Sequence, residues 1–208
     1  MGKIEKYIVL DLEMCNVPHG EKREVFDSPK ELIQIGAVML DSEYNVIDHF
    51  DMFVKPEYGS ITPSIQNLTG ISPKDVQNAP TADKALALLE NWIPENSMLV
   101  TWSENDVKQL DDELYFKDIC LMKLYDYLDN YIDCQEIFSE KMETNRVYQL
   151  SEALAIANID YDENIHNAHA DAYNTALLFK KLQTEDKLTL SPYYFTSANT
   201  YDPFKINK

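Results

Sequence analysis

The heptapeptide Tyr7-Ile8-Val9-Leu10-Asp11-Leu12-Glu13 begins as a continuous apolar run and closes on two carboxylates one residue apart. Ile8, Val9 and Leu10 fit a strand covered on both faces. Side chains alternate along a strand, so Asp11 and Glu13 point to the same side. Two acids at the carboxyl end of a buried strand are costly unless a positive charge sits between them, and a divalent metal ion meets that need. An isolated Asp-x-Glu is ordinarily a solvated strand end. The residues that accompany this one further along the chain decide between the two readings.

The 208 residues, 45% of them hydrophobic, suffice for one domain with a sizeable core. That single domain is expected to fill residues 1–208, with its core over about 6–183 and a C-terminal tail over 189–208. Asp plus Glu number 36 against 18 Lys plus Arg, a formal charge of -18. Such a balance argues against a broad, non-specific grip on nucleic acid, and basic residues occur only as scattered singles or pairs such as Lys22-Arg23 and Lys180-Lys181. Cys15, Cys120 and Cys134 form no Cys-x-x-Cys pair, which suggests neither a disulfide framework nor a structural zinc site and points to a reducing compartment. The apolar run ahead of Asp11 is too short for a signal peptide or a membrane span. The expectation is a cytoplasmic protein with no membrane partner.

Residues 15–30, with Pro18, Gly20, Pro29 and several charges, read as a surface loop near the mouth of the site. Strands are expected over Glu31 to Leu40 and Val46 to Val54, joined as an antiparallel hairpin through the turn-like Asp41 to Asn45. Short helical turns are expected over 56–80 and a helix over Thr81 to Trp92. Met98 to Trp102 reads as a buried strand, with Ser103 capping a helix that has Asp106 in its first turn. A helix over Leu121 to Leu128, a short strand over Tyr131 to Asp133 and a helix over about Gln135 to Met142 follow. Ser151 begins another helix, Asn158 to Asn164 is a polar connection, and the last strong helix spans Ala168 to Leu182. The alternation describes an α/β protein, a mixed sheet flanked by helices.

Asp171 falls near the start of that last helix, with His166 five residues before it. Asp11 and Glu13 from a strand, Asp106 and Asp171 from two helix starts, and His166 on the loop ahead of Asp171 can therefore form one site. Four carboxylates repel one another, and two Mg²⁺ ions about 4 Å apart would cancel that repulsion. The chemistry this suits is displacement at phosphorus, with the ions clamping the attacking and leaving oxygens and His166 accepting the proton of the attacking water.

With these residues in view, the chain resembles the DEDD 3′–5′ exonucleases in their DEDDh branch. Asp11-Leu12-Glu13 is similar to the first motif, Asp106 to the second, and His166 through Asp171 to the third, with Ala172 and Thr175 continuing the helix in the family manner. The DEDDy branch places a Tyr four residues before the last Asp; here Asn167 stands there, and His166 stands at the histidine position. The likeness covers roughly residues 6–183 and is nearest to the Eri-type RNA exonucleases and the KapD-like bacterial sporulation-inhibitor proteins. It rests on Asp-Leu-Glu-x-Cys at Asp11 to Cys15, Ile33-Gln34-Ile35-Gly36-Ala37-Val38, Leu68-Thr69-Gly70-Ile71, and Thr101-Trp102 ahead of Asp106.

The resemblance implies a ribonuclease-H-like three-layer fold with a mixed five-stranded sheet. It implies a metal-dependent 3′–5′ exonuclease that binds the single-stranded 3′ end of RNA or DNA and releases nucleoside 5′-monophosphates. It further implies two Mg²⁺ or Mn²⁺: Asp11, Glu13 and Asp171 hold the first, and Asp11 shares the second, with Glu13 and Asp106 acting partly through water. Met14 stands where relatives carry a small residue, Asn105 where many carry an aromatic, and Ser103 where they carry Gly. Met14, Leu68, Ile71 and Trp102 are the expected substrate contacts. Leu68 and Ile71 equally fit a small satellite core, Trp102 fits the main core, and His169 fits a surface position. Asp111-Asp112-Glu113 reads as a solvated helix face. A regulatory module that binds a protein partner on the same fold, and a polymerase-associated proofreading exonuclease, are the alternative functions.

Overall fold

The apolar run at Ile8 to Leu10 lies at the centre of a five-stranded sheet. The computed structural model describes residues 4–20, 24–161 and 166–194. In chain order the elements are β1 (Lys6–Asn16), β2 (Lys30–Leu40), β3 (Val46–Phe53), α1 (Pro63–Thr69), α2 (Pro73–Val76), α3 (Ala82–Trp92), β4 (Ser97–Thr101), α4 (Glu104–Phe116), α5 (Met122–Asp129), β5 (Tyr131–Asp133), α6 (Cys134–Lys141), α7 (Leu150–Ile156) and α8 (Ala168–Thr184). The strand order is β3-β2-β1-β4-β5. β1 pairs antiparallel with β2 and parallel with β4, β2 pairs antiparallel with β3, and β4 pairs parallel with β5.

Strand periodicity divides β1 between two cores. Ile8, Leu10 and Leu12 pack with Ala82, Ala85, Leu86 and Leu89 of α3 and with Val107, Leu110 and Leu114 of α4. Val9, on the opposite face, packs with Phe138 of α6, Leu154 of α7, and Ala172, Ala176 and Phe179 of α8. Each large aliphatic side chain buried this way contributes on the order of 1.5–3 kcal/mol. Asp11 and Glu13 share the parity of Val9 and so stand on the face covered by α8.

Three expectations need correction. β1 does not end at the acids: the ladder slips after Glu13 and then continues with Met14 opposite Leu32, Cys15 opposite Glu31 and Asn16 opposite Lys30. The segment after it is not simply a surface loop, since Val17, Phe26 and Ser28 are buried and Phe26 stacks on Tyr58 with centroids 5.3 Å apart. Glu113 is not solvated; it is 0% exposed and paired with Lys117. Lys22-Arg23, part of the Asn158 to Asn164 connection, and residues 195–208 of the expected tail lie outside the described residues. Among the described residues no helix is long and apolar enough to cross a membrane.

Candidate active site

Two residues on β2, Gly36 and Gln34, bring α8 onto the sheet beside the acids. Gly36 lies opposite Asp11 and Gln34 opposite Glu13. The backbone of Ala168 and His169 passes so close to Gly36 that a Cβ there would fall 2.1–2.3 Å from it. Gln34, 0% exposed, accepts the Ala168 amide through Oε1 at 3.2 Å, and its Nε2 donates to Asp51 at 2.8 Å. Asn167 caps α8 by accepting the Ala170 amide at 3.2 Å. Asp171 is thereby delivered in the first turn.

His166 lies just ahead of α8, exposed, with a backbone φ of 66. Non-glycine residues rarely adopt that region, and the cost is borne where surrounding contacts enforce it. Here the enforcing contact is Asp171 Oδ2, which accepts the His166 amide at 2.8 Å. Glu13, His166 and Asp171 each offer a ligand atom, and these atoms lie within 4.8 Å of one another.

The second acid comes from the other side. Ser103 caps α4 by accepting the Asn105 amide at 3.4 Å, and Asp106 follows in the first turn. Its Oδ1 accepts the Leu12 amide at 3.1 Å, which lodges the carboxylate against the backbone between Asp11 and Glu13. Asp11, His166 and Asp171 line one cleft of about 610 Å³ together with Trp102, Ser103, Asn105, Tyr148 and Leu150.

The electrostatics follow from this crowding. Burial, then the charges of Asp106, Asp171 and Glu13, push the Asp11 carboxyl well above the usual range. Burial, then Asp171 and Asp106, push Glu13 up to about 8 against a lowering by Lys30. Burial raises Asp106 to about 7, although the Leu12 amide and its own amide hold it down. Carboxylates that resist ionisation because they are buried and crowd one another are the situation a divalent cation relieves. Carboxylates are hard oxygen donors, which suits Mg²⁺ or Mn²⁺.

The expected substrate contacts divide. Trp102 is 8% exposed and packs with Phe138 while also lining the cleft. Leu68 is half-exposed near the end of α1. Ile71 is 2% exposed and sits in a satellite core with Cys15, Ile33 and Val76. Met14 packs against the core under β1, and His169 meets His49 edge to face at 5.3 Å. In the sequence Gln34 stands out only within the Ile33 to Val38 motif, Glu31 only as the start of a strand and Glu113 only in an acidic run, so none of the three is marked as a support of the site.

The RNase_T family model, described as exonuclease, matches residues 8–179. The 3′-5′ exonuclease DinG of Staphylococcus aureus is 30% identical over 96% of this chain, which spans 21% of that protein. A PolC-type DNA polymerase III of Bacillus cereus is 23% identical over 86% of this chain, which spans 11% of it. The chain thus spans about a fifth or less of the length of these curated relatives. Among solved structures, the nuclease domain of 3′hExo, a DEDDh family member bound to rAMP, superposes with a TM-score of 0.75 at 20% identity, over 90% of this chain and 96% of that one. Escherichia coli exonuclease I in complex with a dT13 oligonucleotide superposes with a TM-score of 0.64 at 18% identity, over 94% and 44%. The mixed sheet flanked by helices is the ribonuclease-H-like exonuclease fold of these neighbours.

Proposed function

We propose, because this chain belongs to the RNase_T exonuclease family, that it hydrolyses single-stranded RNA or DNA from the 3′ end and releases nucleoside 5′-monophosphates. The observation that carries this reading is the meeting of Glu13, His166 and Asp171 within 4.8 Å, with Asp11 and Asp106 beside them. Asp11, Glu13, Asp106 and Asp171 would hold two divalent ions, which would neutralise the charge that develops on the attacking and leaving oxygens.

The chain's own groups do the rest. His166, exposed at the cleft, accepts the proton of the attacking water at an imidazole nitrogen and passes it to solvent. Asp171 holds the backbone amide of the residue that carries this imidazole. Asp106, tied to the Leu12 amide, keeps α4 and β1 in step. A cleft of about 610 Å³ is of a size to take the terminal residues of a strand. The likeness to one neighbour bound to rAMP and another bound to dT13 supports both RNA and DNA as substrates.

Matched RNA and DNA oligonucleotides with free or blocked 3′ ends, incubated with Mg²⁺ or Mn²⁺, test the proposal. Mononucleotides should appear only from free ends; equal digestion of blocked ends, or none of either, defeats it. The likeness to a PolC-type polymerase favours a second reading, proofreading. Faster removal of a mismatched than a matched 3′ terminus from duplex DNA would mark it.

A further inference from the structure

Three ionisable groups take no part in this chemistry yet lie within the core. Glu31 and Glu113 are both 0% exposed, and the Lys117 ammonium lies 2.7 Å from the first and 2.9 Å from the second. Two buried carboxylates sharing one lysine are unfavourable unless their other lone pairs are filled. Amide donors meet Glu31 and Oε1 of Glu113. Glu31 accepts from the successive amides of Glu57, Tyr58 and Gly59. Glu113 Oε1 accepts from the Leu32 amide at 2.7 Å and from Gln109 Nε2 at 3.0 Å.

The Leu32 contact falls where the β1–β2 ladder slips. Glu13 lies opposite Gln34 and Met14 opposite Leu32, so Ile33 is passed over. A slip of this kind bends the strand and sharpens its local twist. Seven residues earlier on the same helix, Asp106 holds the Leu12 amide at 3.1 Å. α4 therefore grips β1 just before Glu13 and β2 just beyond it, and Glu13 is the last residue in register between the two grips.

We propose that Glu113 is a positioning residue for Glu13: by holding the Leu32 amide it fixes the slip that presents the Glu13 carboxylate to His166 and Asp171. This rests on the reading of Glu13 as a metal ligand. Glutamine cannot substitute, because Oε1 accepts from Leu32 while Oε2 is ion-paired with Lys117 at 2.9 Å, whereas an amide carries no charge and would turn its NH₂ toward either Leu32 or Lys117. Aspartate keeps the charge beside Lys117 but is one methylene short of Leu32.

The test measures Mn²⁺ binding by calorimetry, and kcat and KM on a 3′-labelled single-stranded oligonucleotide, in the full chain and in Glu113→Gln, Glu113→Asp and Glu31→Gln. Both Glu113 variants should bind Mn²⁺ about 10-fold or more weakly, the range seen when a group supporting a metal ligand is lost. kcat should fall with the affinity while KM for the oligonucleotide stays within about twofold. Glu31→Gln, in the same buried cluster and next to Leu32 in the chain but with its carboxylate holding the amides of Glu57, Tyr58 and Gly59 instead of a ladder amide, should lower the melting temperature and leave Mn²⁺ affinity within about twofold. Unaltered Mn²⁺ affinity in the Glu113 variant that folds, or an equal loss in Glu31→Gln, overturns the proposal. A wild-type chain that binds no Mn²⁺ overturns the metal reading of Glu13 itself, and the proposal with it.

Discussion

A Cβ on Gly36 would fall 2.1 Å from the carbonyl carbon of Ala168, because β2 at this point lies against the first turn of α8. Gly36 is also the residue opposite Asp11. One missing side chain therefore lets the helix bearing Asp171 rest beside the strand bearing Asp11 and Glu13. Gly36→Ala should push that turn outward, costing about 1–3 kcal/mol of stability as overpacking does, and should cut kcat at least 10-fold by displacing catalytic groups about an ångström. Thermal melting and steady-state hydrolysis check both effects; wild-type turnover in a folded Gly36→Ala chain would show that the close approach is incidental.

His166→Ala removes an exposed side chain, so the fold should persist. If His166 is the proton acceptor proposed above, its loss should lower kcat by about 10²–10⁴, with Mn²⁺ affinity falling much less. Full activity, or loss of Mn²⁺ binding in step with activity, would make His166 a bystander or chiefly a ligand.

The raised acids make a sign-definite statement about pH. In the unfolded chain Glu13 and Asp106 ionise in the ordinary carboxylate range, whereas in the folded, metal-free chain they hold protons up to about 8 and about 7. Between these limits the folded chain binds more protons, so this contribution to stability falls as pH rises. Melting in a chelator at pH 5 and pH 8 should show wild type losing about 5 °C more than Glu13→Gln across that interval, and saturating Mn²⁺ should erase the difference. Parallel pH dependences in the two chains would show that the acids are not held against ionisation.

The sequence made much of this site legible and left its supports dark. Strand parity was enough to put Asp11 and Glu13 on one side, and N-cap chemistry at Ser103 was enough to start the helix carrying Asp106. The slip after Glu13 and the burial of Glu113 could not be read that way, since Glu113 meets Leu32 across 81 residues of chain and a local acidic run looks the same whether solvated or buried. Glu31, read as the start of a strand, holds a loop 26 to 28 residues on. Leu68 and Ile71 share one motif yet part company, because α1 ends at Thr69 and Gly70 turns back with φ 74.

A charge of -18 limits how the chain can hold a polyanion. Binding of a short single strand should require a divalent ion, and log affinity against log salt should have a slope no steeper than about -2, equivalent to roughly three phosphates. Tight retention of long duplex DNA in a chelator would reveal a basic track that the described residues do not suggest.

The proposed function requires the four carboxylates to act as one cation site. Calorimetric titration of the full chain with Mn²⁺, beside Asp11→Asn, addresses that directly. Two ions should bind the wild-type chain, and Asp11→Asn, which removes the charge the two proposed positions would share, should bind neither tightly. Wild-type stoichiometry and affinity in Asp11→Asn would contradict it.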